Sequence, residues 1–300
     1  MMPKTRYITT IILISAWLLA GCGGDSADDV QRPVEKENKE ISIKTNVKKM
    51  TEGTTRTGFY TNDNLETFQC YAYKTTNGST YINTTVSKVS DHWAFADGSH
   101  QWPEESLDFF AYMPSSPSYI SDIAFDYSTD RVTFTCTGVN SAASKEFIYA
   151  TALGQNKTAN AEGVNLSFLH PFARVQFGWA DYDHSDITLT SITLKNIAYS
   201  GTYNSTNSPQ WTPSSAPEGL YDLVLDNLES SAQILVIPQA FTCTIQVVAT
   251  GKIWQDEDAS INLSTNVSIN WEPGKSYTYL FTITYTDLKV EVVDKFTEQW

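Results

Sequence analysis

No segment of a dozen residues in this chain keeps apolar side chains at about 3.6-residue spacing without a Gly, a Pro or a β-branched run breaking it. That absence excludes helical bundles and leaves strands to carry the core. Histidine is scarce, with four in 300 residues (His92, His100, His170, His184), and there is no HExxH, GxSxG, P-loop or dinucleotide fingerprint. His92 and His100 have no carboxylate or third histidine at ligand spacing. Carboxylates such as Glu104 with Glu105, or Asp181 with Asp183, sit together as surface acids commonly do. The residues therefore name no enzyme, cofactor or metal. Positive charge is also short: 20 Lys and Arg against 34 Asp and Glu leave a net charge of -14. Such a surface repels nucleic acid and anionic lipid.

Long apolar runs are missing except at the start. Lys4 and Arg6 precede an apolar stretch over 8–19, followed by Leu19, Ala20, Gly21 and Cys22. A basic region, a short hydrophobic region and small residues before a cleavage point read as a secretory signal over 1–21, too short for a permanent bilayer span. Leu-Ala-Gly-Cys resembles the lipobox of bacterial lipoproteins, which implies acylation of Cys22 and anchoring to the outer membrane by lipid. Loss of Lys4 and Arg6 with the signal takes the net charge from -14 to -16. Residues 22–39 are polar and acidic, hold Pro33, and read as a flexible tether.

Cysteine is limited to four, and lipid on Cys22 leaves Cys70, Cys136 and Cys243. Each lies in a strand-like run, where a free thiol behaves as a small buried hydrophobe. An odd number allows at most one internal disulfide.

What is abundant is alternation. Ile41, Ile43 and Val47 share one face of a first strand, and Ile187, Leu189, Ile192 and Leu194 continue the pattern later. Further strands are expected at 68–73, 80–86, 107–112, 132–136, 147–150, 164–168, 174–179, 221–225, 232–237, 244–249, 260–263, 277–285 and 288–293. Turn signals such as Asn77-Gly78, Asp97-Gly98 and Pro273-Gly274 separate them. The fold class is all-β. So many strands exceed the seven to nine of a single sandwich of about 100 residues, so two tandem β-sandwiches are expected, 40–162 and 163–300, divided near the polar stretch 156–163.

Aromatics make up 13% of the chain, including 8 Trp and 16 Tyr. Trp93, Trp102, Trp211, Trp254 and Trp271 lie near turn signals. Exposed, they would stack on sugar rings and make the protein a non-polymerising surface glycan binder; buried, they fill the core.

The order of elements resembles the fimbrillin family, the lipoprotein subunits of type V pili. The match rests on the first strand, the loop Thr54-Thr55-Arg56-Thr57-Gly58-Phe59, then Trp102-Pro103, Leu107-Asp108-Phe109-Phe110-Ala111-Tyr112-Met113-Pro114, and the run from Val164 through His170-Pro171-Phe172 to Val175. The resemblance implies transthyretin-like sandwiches and a cell-surface fimbrium. It also implies that an arginine-specific surface protease removes the first strand, so that the vacated groove takes a strand from another pilus subunit. The removable strand is then 41–47, with Ile41, Ile43 and Val47 inward.

Of the five arginines, Arg6 lies in the signal, Arg32 precedes Pro33, and Arg131 and Arg174 start strands. Arg56 alone sits in a loop, so cleavage is expected between Arg56 and Thr57. Leu288, Val290 and Val292 alternate with Lys289 and Glu291, which makes the last strand the candidate donor. A glycan or protein receptor, as yet unnamed, completes the expected partners.

Overall fold

The computed structural model describes residues 39–47, 60–139, 146–179, 187–214, 220–226, 233–254, 257–283 and 288–294. Residues 38–300 form one compact unit. The described residues hold strands and no helix, as the missing helical periodicity requires.

In chain order the strands are β1 (Ile43–Val47), β2 (Thr67–Lys74), β3 (Thr80–Val89), β4 (His92–Phe95), β5 (Leu107–Met113), β6 (Ile120–Asp126), β7 (Arg131–Cys136), β8 (Ile148–Gln155), β9 (Val164–Phe168) and β10 (Ala173–Trp179). They continue as β11 (Ile187–Ala198), β12 (Gly201–Asn204), β13 (Trp211–Pro213), β14 (Leu220–Asp226), β15 (Gln233–Val236), β16 (Ala240–Trp254), β17 (Glu257–Asn270), β18 (Ser276–Ile283) and β19 (Leu288–Asp294).

The first half is a three-layer stack around the sheet β4-β3-β2-β5-β8. One face of that sheet meets the two-stranded pair β1-β9, and the core between them includes Phe68, Val86, Phe109, Ile148 and Leu166. The other face meets the sheet β13-β12-β7-β6 through a second core that includes Phe110, Phe134, Phe147, Tyr203 and Trp211. Being covered on both sides explains why β5 reads Leu-Asp-Phe-Phe-Ala-Tyr-Met rather than as clean alternation. Phe109 and Ala111 enter one core, and Phe110 enters the other.

The second half is a sandwich of β15-β10-β18-β19 on β14-β11-β16-β17. Its core draws Val175 from β10, Ile192 and Leu194 from β11, and Ile245 and Val247 from β16. β15 joins the two halves. Ile234 and Val236 point into the sandwich, while Leu235 and the following Ile237 point into the second core, as period-two side chains must.

The boundary expected at 162/163 falls just before β9, and β9 packs with the elements that precede it, pairing with β1. β12 and β13 likewise extend the sheet begun by β6 and β7. The three cysteines are free and buried, one in each core, which holds their thiols apart.

Candidate functional site

β1 pairs in parallel with β9, from Ile43 opposite Val164 to Val47 opposite Phe168. Ahead of the ladder, Ile41 N–H donates to His100 O (2.7 Å) and Trp102 N–H to Lys39 O (2.9 Å), so the strand is held on a second flank before β9 begins. The ladder opens with Val164 N–H donating to Ser42 O at 2.8 Å. That approach depends on Gly163: its φ is +114°, and a Cβ there would stand 2.8 Å from Ser42 Oγ and 3.1 Å from Ser42 O. At the far end Val47 N–H donates to Asn62 Oδ1 at 2.5 Å.

Burial along β1 alternates. Ile41, Ile43 and Val47 are 5%, 6% and 0% exposed and join the core of Phe68, Val86 and Phe109, whereas Lys44 and Asn46 face solvent. Within the sheets described, β1 is the only strand laddered to β9.

A polar node lies at Tyr60, the first residue described after β1. Tyr60 N–H donates to Glu146 Oε2 at 3.0 Å, and Glu146 Oε1 lies 2.6 Å from His170 Nδ1. Both partners of that contact are sealed, with side chains 0% and 1% exposed. Burial and the Glu146 charge push the Tyr60 hydroxyl up to about 12. They raise Tyr119 as well. Burial draws the Arg174 guanidinium down to about 10 against the opposing pull of Glu146. Arg174 Nε donates to Ser276 Oγ at 2.9 Å. Beyond the end of the β1–β9 pair a pocket of about 340 Å³ opens beside Asn46, Leu169 and His170, backed by the hydroxyls of Tyr149 and Tyr203, 2.8 Å apart.

Ile43 and Val47 thus stand in the ladder with β9, and Ile41, just ahead of it, joins the same core. Cys22, Arg56 and Thr57 lie outside the described residues. Leu288, Val290 and Val292 belong to β19, which pairs antiparallel with β18 of its own chain, Val290 opposite Phe281 and Val292 opposite Tyr279. β19 ends its sheet, so one edge of it carries no ladder within the sheets described. Arg131 and Arg174 stand in ladders, opposite Asp126 and opposite Leu235 and Ser276.

Of the two readings open for the indoles near turn signals, the described ones take the core. Trp102, Trp211 and Trp271 are 7%, 2% and 2% exposed, and Trp93 packs on Phe68 at 5.0 Å between ring centres. The Trp254 side chain lies outside the described residues. Among the described residues, no group of His, Cys, Asp and Glu is placed to hold a metal ion.

A family model described as fimbrillin-like matches residues 37–300. No curated protein matches the sequence. Among solved structures, a proposed cell adhesion protein from Bacteroides uniformis superposes with a TM-score of 0.56 at 16% identity, over 84% of this chain and 96% of that one. A proposed cell adhesion protein from Bacteroides ovatus gives 0.55 at 17%, over 86% and 96%. A fimbrial protein from Bacteroides vulgatus gives 0.53 at 15%, over 85% and 98%. At these identities the superpositions speak to the fold.

Proposed function

The chain belongs to the fimbrillin-like family, and from that premise we propose that it is a structural or adhesive subunit of a cell-surface fimbrium that assembles by strand exchange. In this reading the precursor is exported as a lipoprotein held in the outer membrane through Cys22. An arginine-specific protease cuts between Arg56 and Thr57, β1 departs, and the groove along β9 accepts a strand from another subunit.

The observation that carries the reading is the seating of β1. With Ile41 just ahead of it, it brings Ile43 and Val47 to a core and, within the sheets described, is the only ladder partner of β9. Burying three such side chains is worth roughly 5–9 kcal/mol, an upper bound on what their loss would remove. Whole-domain stability is about 5–15 kcal/mol. A chain without β1 is therefore short of core and of backbone partners, and a replacement strand restores both. Leu288, Val290 and Val292 present the same every-second-residue apolar spacing as Ile41 and Ile43, which makes β19 of a neighbouring subunit the candidate donor.

The test uses the soluble chain from Gly23, which retains the whole compact unit, treated briefly with an arginine-specific protease and followed by intact mass and unheated gel. The expected product begins at Thr57 and forms a ladder of heat-sensitive oligomers. A product beginning at Thr57 without a ladder assigns a subunit that needs a partner's donor. Absence of any cut at Arg56 in the folded chain overturns the maturation step.

A further inference from the structure

A broad cleft lies away from β1, where β13 and the loop before it face the start of β16 and the end of β17. Its volume is about 1200 Å³, slightly above the roughly 300–1,000 Å³ of ordinary small-molecule sites. The charged residues in its lining are Glu272 and Lys275, one of each sign, on a protein whose net charge is -14. This patch of surface is locally neutral.

The walls are rigid. Trp211 Nε1–H donates to Pro171 O at 2.6 Å and Trp271 Nε1–H to Tyr279 Oη at 2.9 Å, so both indoles are fixed from within and form the floor. Gln239 ties one wall together, giving its Nε2–H to the carbonyls of Ala198 and Ile237, both at 3.0 Å, and accepting from Ala198 N–H at 3.1 Å. On the same wall the β11 ladder shifts register between Leu194 and Ile197, and Asn196 there holds a φ of +60°. A bulge with a strained non-glycine residue re-aims a side chain at a cost that the surroundings must offset, and Asn196 lines the cleft.

The chemistry on offer is of two kinds. Asn207 and Asn270 supply amides, each with a donor and an acceptor in one plane, and Gln210 adds its carbonyl oxygen, its Nε2–H being given to Ser205 O at 3.0 Å. Phe241, half-buried and edge-on to Trp271 at 5.9 Å, and Pro209, Pro213 and Pro273 supply carbon surfaces, with Pro238 buried behind them. Sugar hydroxyls both give and take hydrogen bonds, and pyranose C–H faces pack on such surfaces. A peptide added as a strand would need backbone donors along the wall, and the four prolines have none. An ionic ligand would meet no net charge.

We infer that this cleft binds a neutral oligosaccharide. The site stands apart from strand exchange, so the inference does not depend on polymerisation. Saturation-transfer difference NMR on the soluble chain from Gly23 tests it, with maltotriose, cellotriose, mannotriose and chitotriose as neutral probes and sialyllactose as the anionic one. The expected result is transfer to at least one neutral trisaccharide. Phe241→Ala should weaken that binding by about tenfold or more, and Asn270→Ala should weaken it too, with circular dichroism unchanged. Asn270 is exposed, so its substitution keeps the test meaningful if loss of the Phe241 ring disturbs the fold. Transfer to none of the neutral sugars, transfer indifferent to both substitutions, or transfer confined to sialyllactose would overturn the inference.

Discussion

Glu146 Oε1 and His170 Nδ1 meet at 2.6 Å in an interior that water does not reach, and the other oxygen of Glu146 takes the N–H of Tyr60. Three segments are pinned at this point: the chain entering β2, the approach to β8, and the link from β9 to β10. If β1 leaves and exposes β9, this node keeps the groove's walls in place.

Removing one partner of a buried hydrogen-bonded pair leaves the other polar group unsatisfied, which typically costs about 1–3 kcal/mol. Glu146→Ala, which also strips Tyr60 N–H of its acceptor, is expected to destabilise the chain by at least about that much. Glu146→Gln, which retains an acceptor for Tyr60 N–H, should cost less. Urea unfolding gives both values, and hydrogen exchange at the Tyr60 amide shows whether the anchor was lost. Equal stability of the alanine variant and the parent would show that the node carries no load.

The thiols and phenols predict a one-sided response to alkali. Burial pushes the Cys70 thiol up to about 12 and Cys136 to about 11 from an ordinary value of 9.0. Burial likewise raises Tyr60, Tyr119, Tyr203 and Tyr279 from 10.0. Acids whose folded values are raised keep their protons in the native state while the unfolded chain loses them. The stability they confer is fully present below about pH 9 and is lost as pH climbs toward 12. Urea midpoints should therefore fall steeply across that window, with tyrosinate absorbance appearing at unfolding. At about pH 8 a thiol reagent should label none of Cys70, Cys136 and Cys243 in the folded chain and all of them in concentrated guanidinium chloride. Rapid labelling under native conditions would contradict the buried placement.

Gly163 tests the docking of β1 from the other side. Alanine there meets a φ of +114° and the backbone of Ser42 at 3.1 Å, and such strain costs about 1–3 kcal/mol. If the two strands yield instead of the turn, β1 loosens. Faster exchange of the Val164 amide, which donates to Ser42 O, with unchanged exchange in the β16–β17 hairpin, would locate the damage. Uniform acceleration across the protein would mean that Gly163 serves global folding alone.

Alternation and short apolar runs marked most of the strands and lost those whose apolar pattern is short or broken. β2, β9 and β10 stand within a residue of where alternation put them. β6 escaped because Asp122 takes a φ of +53° and a register shift between Ser121 and Ala124 breaks the alternation. β12 and β13 escaped because they are short and carry Gly201 and Pro213, residues that signal turns. A Cβ at Gly201 would lie 2.7 Å from Thr212 O, so here the glycine admits a neighbouring strand. At the site, the inward face of β1 was legible, but its partner was not. Nothing local ties residues 43–47 to residues 164–168, and Glu146 is one acid before an apolar strand until the fold brings His170 to it.

The reach of β1 as a separable part is open to complementation. A chain beginning at Thr57 lacks Ile41, Ile43 and Val47, and roughly 5–9 kcal/mol of transfer free energy goes with them. It should melt well below the parent or recover by borrowing a strand. A synthetic peptide covering residues 39–50, added in excess, binds the native state and not the unfolded one, so it should raise the melting temperature in proportion to the logarithm of its concentration. The same peptide with Val47→Asp should not, because Val47 is wholly buried and a carboxylate there has no partner charge to meet. A peptide covering residues 286–300 asks whether β19 fits the same groove. Stabilisation by the first peptide but not by the second would retain the removable strand and assign the donor to a different subunit. Stabilisation by neither would mean that β1 is an integral part of its core, and strand exchange at β9 would have to be abandoned.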